Sequence, residues 1–270
     1  MSVTATTTVE DTVRGFYDGY GWVGHDAGNG EDAAFRQFRP AYAAYHAAVE
    51  QRTLAAFDGL KGRLLLAGCG DMPDSHVQIA SRFSQLSCLD ISGRALTAAA
   101  MKLSRQAEIV RGSVVEPPFP RARFDAVFCA HVLFHIDIDL QEQAVDRMLE
   151  LLRPGGRLVI VYSNPHSPIR VATALVERAR RLRPGQGAPG PNRPDLYFRR
   201  HPLRWWQRFS DRAHISIRPW DVIGSRDDLA LLWSDRAAAR FYGAAGRLET
   251  RHPKLATRLW QYPLIVLERR

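Results

Sequence analysis

An acidic residue that follows a glycine turn by twenty positions is the pattern in this chain that most directly indicates chemistry. Residues 64–67 are apolar and end at Gly68-Cys69-Gly70, where the backbone can approach a ligand without an intervening side chain. Asp90 ends the next apolar run, and its carboxylate can accept hydrogen bonds from both hydroxyls of a ribose. A buried strand, a glycine turn and a helix form the entrance to a nucleotide-type site.

Two histidines, His131 and His135, are candidates for a general base, because the unperturbed pKa of histidine lies near neutrality. Their spacing of four would place them on one face of a helix, and such a pair can bind zinc when a glutamate follows the first histidine. Val132 occupies that position and no third ligand is evident, so we predict no metal site. A packing role remains open for both histidines.

Alternating short strands and helices must position these residues. Apolar runs bounded by turn residues predict strands near residues 63–67, 86–89, 107–111, 124–129, 157–162, 214–218 and 262–268. Helical periodicity lies between them, near residues 74–83, 93–104, 138–152, 168–182 and 226–249. The alternation predicts an α/β domain with a parallel sheet that is covered on both faces. Residues 153–156, Arg-Pro-Gly-Gly, are typical of a helix stop followed by a turn.

Six motifs occur in order along the chain. They lie at residues 67–70, 89–92, 111–119, 124–136, 151–158 and 262–268. Together they resemble those of the class I S-adenosylmethionine-dependent methyltransferases. The resemblance implies a Rossmann-like sheet of seven strands, mostly parallel with an antiparallel last strand, and S-adenosyl-L-methionine as cofactor. An NAD-dependent dehydrogenase would share the first turn and the acid, but Pro73 stands where its third glycine belongs.

The resemblance also implies which residues bind the cofactor. They are Tyr20, Gly68, Cys69, Gly70, Asp90, Ile91, Ser113, Val114, Ala130 and His131. Three positions depart from the family pattern: Leu66 replaces a customary acid, Met72 a third glycine, and Ser113 an aspartate that is common beside the adenine. These departures bear on cofactor affinity more than on fold.

In related enzymes an N-terminal segment often folds over the cofactor, so we expect residues 1–58 to form a helical lid and residues 59–270 the main domain. Residues 16–25 alternate aromatics with glycines; they could close the site against water or pin the first helix to the core. Ligands in such sheets bind beyond the carboxyl ends of the strands. We therefore expect the acceptor to contact Trp22, His25, Tyr162 and His166, with Arg39 as a further candidate.

Residues 164–212 interrupt the alternation and are expected to form an inserted cap. Residues 197–209 mix arginines with aromatic side chains, which can stack on a ligand. They can equally form an amphipathic helix with Trp205 and Phe209 inward and the arginines outward. Because this segment follows the fifth strand, we expect it to determine acceptor specificity.

Composition limits the remaining possibilities. No apolar run approaches the roughly 18–20 residues that span a bilayer, and residues 1–10 lack the features of a secretory signal. The three cysteines lie in or beside apolar runs, which predicts reduced thiols in a cytoplasmic protein. The net charge of +9 is uneven: Lys and Arg exceed Asp and Glu by 21 to 9 from Arg170 onward. That excess indicates either an anionic partner or solvated arginines.

Three functions follow from these observations. The first is methyl transfer to a small or medium-sized acceptor, a secondary metabolite or a saccharide-like molecule, with O- or N-methylation favoured. The second is RNA methylation that uses the basic C-terminal half. The third is a protein that binds the cofactor without catalysis. The oligomeric state is not predicted.

Overall fold

A computed structural model describes residues 8–21, 38–103, 106–181 and 196–270. Its centre is one seven-stranded sheet. In chain order the strands are β1 Arg63–Ala67, β2 Gln85–Asp90, β3 Glu108–Arg111, β4 Phe124–Ala130, β5 Leu152–Val161, β6 Ala213–Asp221 and β7 Tyr262–Arg269. The order across the sheet is β3-β2-β1-β4-β5-β7-β6, and β7 pairs antiparallel with both β5 and β6 while the other pairs are parallel. This arrangement confirms the predicted fold class.

Helices cover both faces of this sheet. In chain order they are α1 Val9–Phe16, α2 Pro40–Ala55, α3 Asp74–Ala80, α4 Gly93–Lys102, α5 Gln141–Leu151, α6 Pro168–Arg181, α7 Ser225–Leu231, α8 Asp235–Arg251 and α9 Pro253–Leu259. Local sequence defines several of their starts. Thr8 and Asp11 form a capping box at α1, and the hydroxyls of Ser92 and Ser234 cap α4 and α8. These caps satisfy backbone N–H groups that the first helical turn leaves unpaired.

The apolar strands divide their side chains between two cores. Leu65 and Ala67 of β1 face the cluster that contains Trp206 and Phe209, whereas Leu64 and Leu66 face the opposite cluster. Successive side chains of a strand point to opposite faces, so an uninterrupted apolar run is what a doubly covered strand requires. The fully buried strand β1 therefore holds the glycine turn at its end in a fixed position.

Two element boundaries differ from the prediction. Strand β5 begins at Leu152 instead of near residue 157, because Leu152 pairs with Phe124 before a bulge shifts the register. The predicted Arg-Pro-Gly-Gly turn survives inside this strand as the bulge, where Gly155 has a φ of 76°. The single helix expected at residues 226–249 is two helices, because the hydroxyl of Ser234 accepts from the Ala237 N–H and begins α8 anew.

The predicted lid of residues 1–58 divides into two structural parts. Helix α1 and the π-helical turn Tyr17–Gly21 lie at the carboxyl edge of the sheet. Helix α2 instead packs against α8, where Tyr45 and Tyr242 stack with ring centroids 5.2 Å apart in a third apolar cluster. Its apolar face is thus buried against the C-terminal helices, while its Thr53 hydroxyl accepts from the Trp220 indole N–H, and the expectation that α2 covers the site stays a prediction.

The predicted cap also divides. Helix α6 lies outside the sheet's main core, whereas Leu203–Phe209 form a 3-10 helix whose Trp205, Trp206 and Phe209 are buried in that core. The charged side chains of this region point outward, and Arg208 pairs with Glu142 of α5 at 2.5 Å. The amphipathic interpretation of this segment is thus the one the structure supports. In the described ranges, no helix is both long and apolar enough to cross a membrane.

Candidate active site

The turn after β1 requires a backbone that glycine adopts without strain. Gly68 and Gly70 have φ values of 74° and 55°, in the left-handed region. The Gly68 N–H donates to the Leu89 carbonyl at 2.7 Å, which ties the turn to the end of β2. A Cβ at Gly68 would collide with Cγ2 of Val132, which follows β4. The turn therefore lies against two neighbouring strands and presents its backbone at their carboxyl ends.

Asp90, the last residue of β2, is joined to this turn by hydrogen bonds. Its Oδ2 accepts from the Gly70 N–H and its Oδ1 from the Ser92 N–H, both at 2.9 Å. Burial raises the pKa of Asp90, and these two donors oppose that effect. A carboxylate offers about four lone-pair sites, so each oxygen retains acceptor capacity. Asp90 can thus organise the glycine turn and still accept from a pair of ligand hydroxyls.

The N-terminal segment closes over the ends of three strands. The Ser113 hydroxyl, after β3, donates to Glu10 Oε2 of α1 at 2.5 Å and accepts from the Val115 N–H at 3.2 Å. The Ser92 hydroxyl, after β2, donates to Asp18 Oδ1 at 2.5 Å. The ring of Tyr17 meets that of His135 edge-on, with centroids 6.1 Å apart. Residues 8–21 therefore cover the edge at which the predicted cofactor residues lie.

His131 directly follows β4 at the carboxyl edge of the sheet. Its backbone has a φ of 61°, which is uncommon for a residue with a side chain and costs of the order of 1 kcal/mol or more. The side chain is exposed, and its ring lies 5.4 Å from Trp220 and 5.2 Å from Tyr262 between centroids. Contacts with the surrounding protein and with nearby histidines lower the pKa of His131 below the usual value for histidine.

His135 is held in one orientation. Its Nδ1 lies 2.8 Å from the carbonyl oxygen of Tyr197. A carbonyl only accepts, so we assign the proton of the neutral ring to Nδ1 and leave the lone pair on Nε2. Burial lowers the pKa of His135 to about 4, and the bond to Tyr197 opposes this change. The result is a neutral imidazole whose orientation is fixed by one hydrogen bond at Nδ1, and its role as a base stays a prediction.

The predicted acceptor residues fall in different places. Tyr162 is fully buried; its hydroxyl donates to Gln141 Oε1 at 2.8 Å and accepts from the His201 N–H at 2.9 Å. It supports the core beneath the site, so the expectation that it contacts the acceptor is wrong. His166 is exposed, and its N–H donates to Asn164 Oδ1 at 3.0 Å. Trp22 and His25 lie outside the described residues, and of Tyr20 only the backbone is described.

Arg39 is a structural residue rather than a ligand contact. Only 3% of its surface is exposed, and its guanidinium pairs with Asp228 at 2.9 Å and with Asp235 at 3.0 Å. It also donates to the Leu232 carbonyl at 2.9 Å. The two acids belong to α7 and α8, which are distant in sequence, so the pattern around Arg39 gave no sign of this role.

Two departures from the family pattern have physical explanations. Leu66, which stands where an acid is customary, is fully buried in the apolar cluster beneath the turn. Met72, which stands where a glycine is usual, has a φ of 58° and is also fully buried. The chain therefore keeps the backbone shape of a glycine at Met72 at the cost of strain, and the buried methionine side chain offsets part of that cost.

One protein-family model matches the central part of the chain. Residues 65–160, which contain the turn, Asp90, Ser113 and both histidines, match the methyltransferase-domain family.

The chain therefore contains a methyltransferase domain at residues 65–160.

The comparison with curated proteins gives no match.

Solved structures of methyltransferases share the fold at low sequence identity. Magnesium protoporphyrin IX methyltransferase from Synechocystis PCC 6803, with bound SAM, is 14% identical; the match covers 99% of this chain and 100% of that one, with a TM-score of 0.56. The DhpI–SAH complex is 14% identical over 98% of each chain, with a TM-score of 0.57. Geranyl diphosphate methyltransferase in complex with GPP and sinefungin is 16% identical over 83% and 78%, with a TM-score of 0.54.

The residues at this edge suit S-adenosyl-L-methionine as cofactor. The Asp90 carboxylate matches a ribose diol, and the glycine turn beside it is held by hydrogen bonds to Leu89 and Asp90. Residues from the ends of four adjacent strands line the same edge: Gly68, Cys69 and Gly70 after β1, Asp90 and Ile91 at β2, Ser113 and Val114 after β3, and Ala130 and His131 at β4. Within the described ranges no group of three metal-ligating side chains occurs.

A second set of residues lies beside the histidines, and sequence reasoning named none of them individually as site residues. Trp220 and Tyr262 flank His131, and Phe198 lies 5.4 Å from His135 between ring centroids. Arg170 and Arg200 lie beyond these rings. The arginine-aromatic composition of residues 197–209 was a usable signal for Phe198 and Arg200, whereas no motif pointed to Trp220.

Proposed function

We propose that this methyltransferase transfers a methyl group to an oxygen or nitrogen of a small or medium-sized acceptor, a secondary metabolite or a saccharide-like molecule. The observation that carries the proposal is the position of His131 and His135. Both follow β4, beside the cofactor residues of β1 to β3 on one side and the aromatic rings of Phe198, Trp220 and Tyr262 on the other. An acceptor on those rings would lie next to the cofactor edge of the sheet.

The cofactor residues divide their work by position. Bound S-adenosyl-L-methionine supplies a methyl group that its sulfonium already activates. Asp90 accepts from the ribose hydroxyls, and Gly68, Cys69 and Gly70 offer the backbone beneath the methionine portion. Ser113, Val114 and Ile91 flank the adenine, and Ala130 and His131 close the site from β4. Tyr20 belongs to the covering segment, whose contacts to Ser92 and Ser113 exclude water from the site.

The two histidines have different roles in this proposal. His135 Nε2 takes the proton of an acceptor hydroxyl or amine, because Nδ1 is committed to the Tyr197 carbonyl. His131, exposed and neutral, positions the acceptor against Trp220 and Tyr262 and accepts a hydrogen bond where the acceptor offers one. Much of the rate enhancement would come from alignment of the reacting atoms, which the fixed ends of β4 and β5 supply.

The residues that the sequence predicted to contact the acceptor have more limited roles in the proposal. His166 lies after β5 and is exposed, so it remains a candidate contact at the outer part of the site. Trp22 and His25 follow the covering segment in sequence and remain candidates on that ground alone. Tyr162 acts indirectly, because its hydroxyl fixes the backbone at His201 next to Arg200.

The class of acceptor rests partly on the structural neighbours. The names of two of them, magnesium protoporphyrin IX methyltransferase and geranyl diphosphate methyltransferase, identify small-molecule acceptors. The aromatic side chains around His131 favour an acceptor with an apolar face, and the exposed ring of His131 favours one that also carries a polar group. A reducing, cytoplasmic setting would suit Cys69, Cys88 and Cys129, which are buried free thiols.

RNA methylation is the second candidate. The excess of arginines that suggested it is partly neutralised by ion pairs within the protein. Arg208 pairs with Glu142, Arg212 with Asp146, and Arg226 with Glu177. The first two of these acids belong to the acidic N-terminal half, so part of the asymmetry reflects contacts between the two halves of the chain. Electrostatic affinity for RNA would weaken steeply with salt.

The proposal is tested by turnover. The protein is incubated with S-adenosyl-L-methionine and a panel of small hydroxyl and amine acceptors, with bulk tRNA as a separate arm, and release of S-adenosylhomocysteine is measured. We expect turnover with at least one small acceptor, none with tRNA, and loss of turnover in His135→Ala. Turnover with tRNA alone would establish the RNA alternative. Binding of the cofactor without turnover on any arm would support a non-catalytic protein.

A further inference from the structure

We propose that the acceptor carries an oxyanion group, a phosphate or a carboxylate, and that Arg170 and Arg200 bind it at the outer side of the cleft. This proposal rests on the proposed function, because it concerns the molecule that the same site methylates. It adds a chemical class to the acceptor and assigns a binding role to two side chains, of which Arg200 lies in the arginine-aromatic segment 197–209.

The two guanidinium groups converge on one buried hydroxyl. Arg170, in the first turn of α6, donates to Ser163 Oγ at 2.8 Å, and Arg200 lies 3.4 Å from the same oxygen. Both also lie over the ring of Phe198, at 6.0 Å and 4.7 Å from its centroid. Ser163 and Phe198 thus hold the two cations side by side, although Arg170 and Arg200 are thirty residues apart in the sequence.

No carboxylate neutralises this pair directly. Across residues 8–21, 38–103, 106–181 and 196–270, neither arginine forms an ion pair within 4 Å, and the buried Nε of Arg170 has no hydrogen-bond partner. Asp227 attracts Arg200 only from a greater distance. Burial lowers the pKa of Arg200, and the adjacent Arg170 lowers it further. Two like charges held together in a partly buried place are destabilising unless an anion binds between them.

Other buried or partly buried arginines show the contrast. Arg39, Arg52 and Arg157 each pair with an Asp or Glu side chain. Arg170 and Arg200 instead contact the Ser163 hydroxyl and aromatic rings, and Arg170 also shares a hydrogen bond with the Tyr262 hydroxyl. Paired guanidinium groups present parallel N–H donors that match the oxygens of a phosphate or carboxylate.

The pair is connected to the site of methyl transfer. Arg170 lies over the ring of Tyr262 at 5.6 Å from its centroid, and that ring meets His131 at 5.2 Å. On the other side, Phe198 lies under both arginines and 5.4 Å from His135. One aromatic ring therefore separates the cations from each histidine. An acceptor whose apolar portion contacts these rings would bring its anionic group to the arginines and its reacting atom to the histidines.

The test is a calorimetric titration of the full chain, loaded with S-adenosylhomocysteine, at low ionic strength. Inorganic pyrophosphate and succinate are the two probes, so the stronger binder identifies phosphate or carboxylate as the preferred oxyanion. Arg170→Gln and Arg200→Gln remove one cation each. Arg121→Gln is the matched control, because Arg121 is 72% exposed and pairs with Glu150 of α5, away from these residues.

We expect at least one probe to bind the wild type and Arg121→Gln equally, and to bind each site variant about tenfold or more weakly. Arg170→Lys should retain part of the affinity, because it keeps the charge but loses the fork of donors. Failure of both probes on protein that binds S-adenosylhomocysteine, or equal affinity in all variants, would overturn this proposal and leave the proposed function intact. Failure to bind S-adenosylhomocysteine at all would instead overturn the proposed function.

Discussion

The two halves of the site are built in different ways. The proposed cofactor half lies at the ends of β1 to β4, and it consists largely of backbone in special conformations, with Asp90 bonded to the glycine turn itself. The proposed acceptor half lies next to it and consists of side chains, among them those of His131, Tyr262 and Arg170. The cofactor half requires particular residues at short spacing in the sequence. The acceptor half requires only that segments distant in the sequence pack against one another.

This difference explains why a family pattern describes one half and not the other. A glycine with a positive φ and an acid twenty residues later leave a signature that survives at low overall identity. The acceptor half has no fixed spacing, because its residues come from β4, α6, β6, β7 and the segment before residue 203. Specificity of this kind belongs to the site and not to the fold. Four predictions test whether the two halves behave as differently as their construction suggests.

The largest effect is expected at Asp90. Asp90→Ala removes the acceptors for the ribose hydroxyls and leaves the Gly70 and Ser92 N–H groups unpaired. Loss of two charge-assisted hydrogen bonds at about 1.5 kcal/mol each predicts about 100-fold weaker binding of S-adenosylhomocysteine by calorimetry. Asp58→Ala, at an exposed acid, should change the affinity less than about twofold. Unchanged affinity in Asp90→Ala would show that the ribose lies elsewhere.

A somewhat smaller effect is expected from the glycine turn. Gly68→Ala forces a Cβ against Val132 and should weaken cofactor binding by about tenfold or more. Gly155→Ala is the control, because its φ of 76° is nearly that of Gly68 but no atom lies within 4 Å of the added Cβ. It should lose stability of the order of 1 kcal/mol without loss of affinity. Equal affinities in the two variants would mean that strain, and not close approach, explains the glycine.

The covering segment should contribute more modestly. Glu10→Gln and Ser113→Ala each remove the bond between α1 and the loop after β3, so each should weaken S-adenosylhomocysteine binding by about fivefold. Because both changes break one contact, the double variant should bind about as well as either single one. Glu116→Gln, at an exposed acid in the same loop, serves as control. Additive losses would indicate that Glu10 and Ser113 act independently.

The smallest expected effect is the contribution of His135, in the acceptor half, to the pH dependence of stability. The pKa of His135 is lowered to about 4 in the folded chain, against 6.5 for an unperturbed histidine. Between pH 6.5 and 4 the unfolded chain therefore binds a proton that the folded chain does not, so this contribution to stability is present above pH 6.5 and is lost as pH falls. The pKa of Asp221 is raised to about 7, so its contribution to stability has the opposite pH dependence. It therefore masks the contribution of His135 in the pH dependence of the wild-type stability.

His135→Asn isolates the contribution of this histidine. The difference in Tm between pH 7 and pH 5 should be smaller in the variant than in the wild type, because asparagine does not titrate and can still donate to the Tyr197 carbonyl. Thermal unfolding monitored by circular dichroism measures it. An identical loss of Tm in the two proteins would contradict a neutral, buried His135.

The sequence predicts the sheet well because its strands are encoded locally. The apolar run before Gly68 and the alternation of strands and helices define β1 to β5 to within a few residues, except where the bulge at Gly155 extends β5. The partners of Arg39 lie more than one hundred residues away along the chain. The partners of the buried Tyr162 hydroxyl lie about twenty and forty residues away. Periodicity shows which face is apolar, but not which distant segment will cover it.

The structure of the chain bound to S-adenosylhomocysteine, solved by crystallography, is the most direct test of the central claim that the ends of β1 to β4 hold the cofactor beside an acceptor cleft. The ribose hydroxyls should lie within hydrogen-bond distance of the Asp90 carboxylate, with the sulfur directed toward the cleft that His131, Trp220 and Tyr262 form. Binding at any other edge of the sheet, or a ribose without contact to Asp90, would contradict the claim.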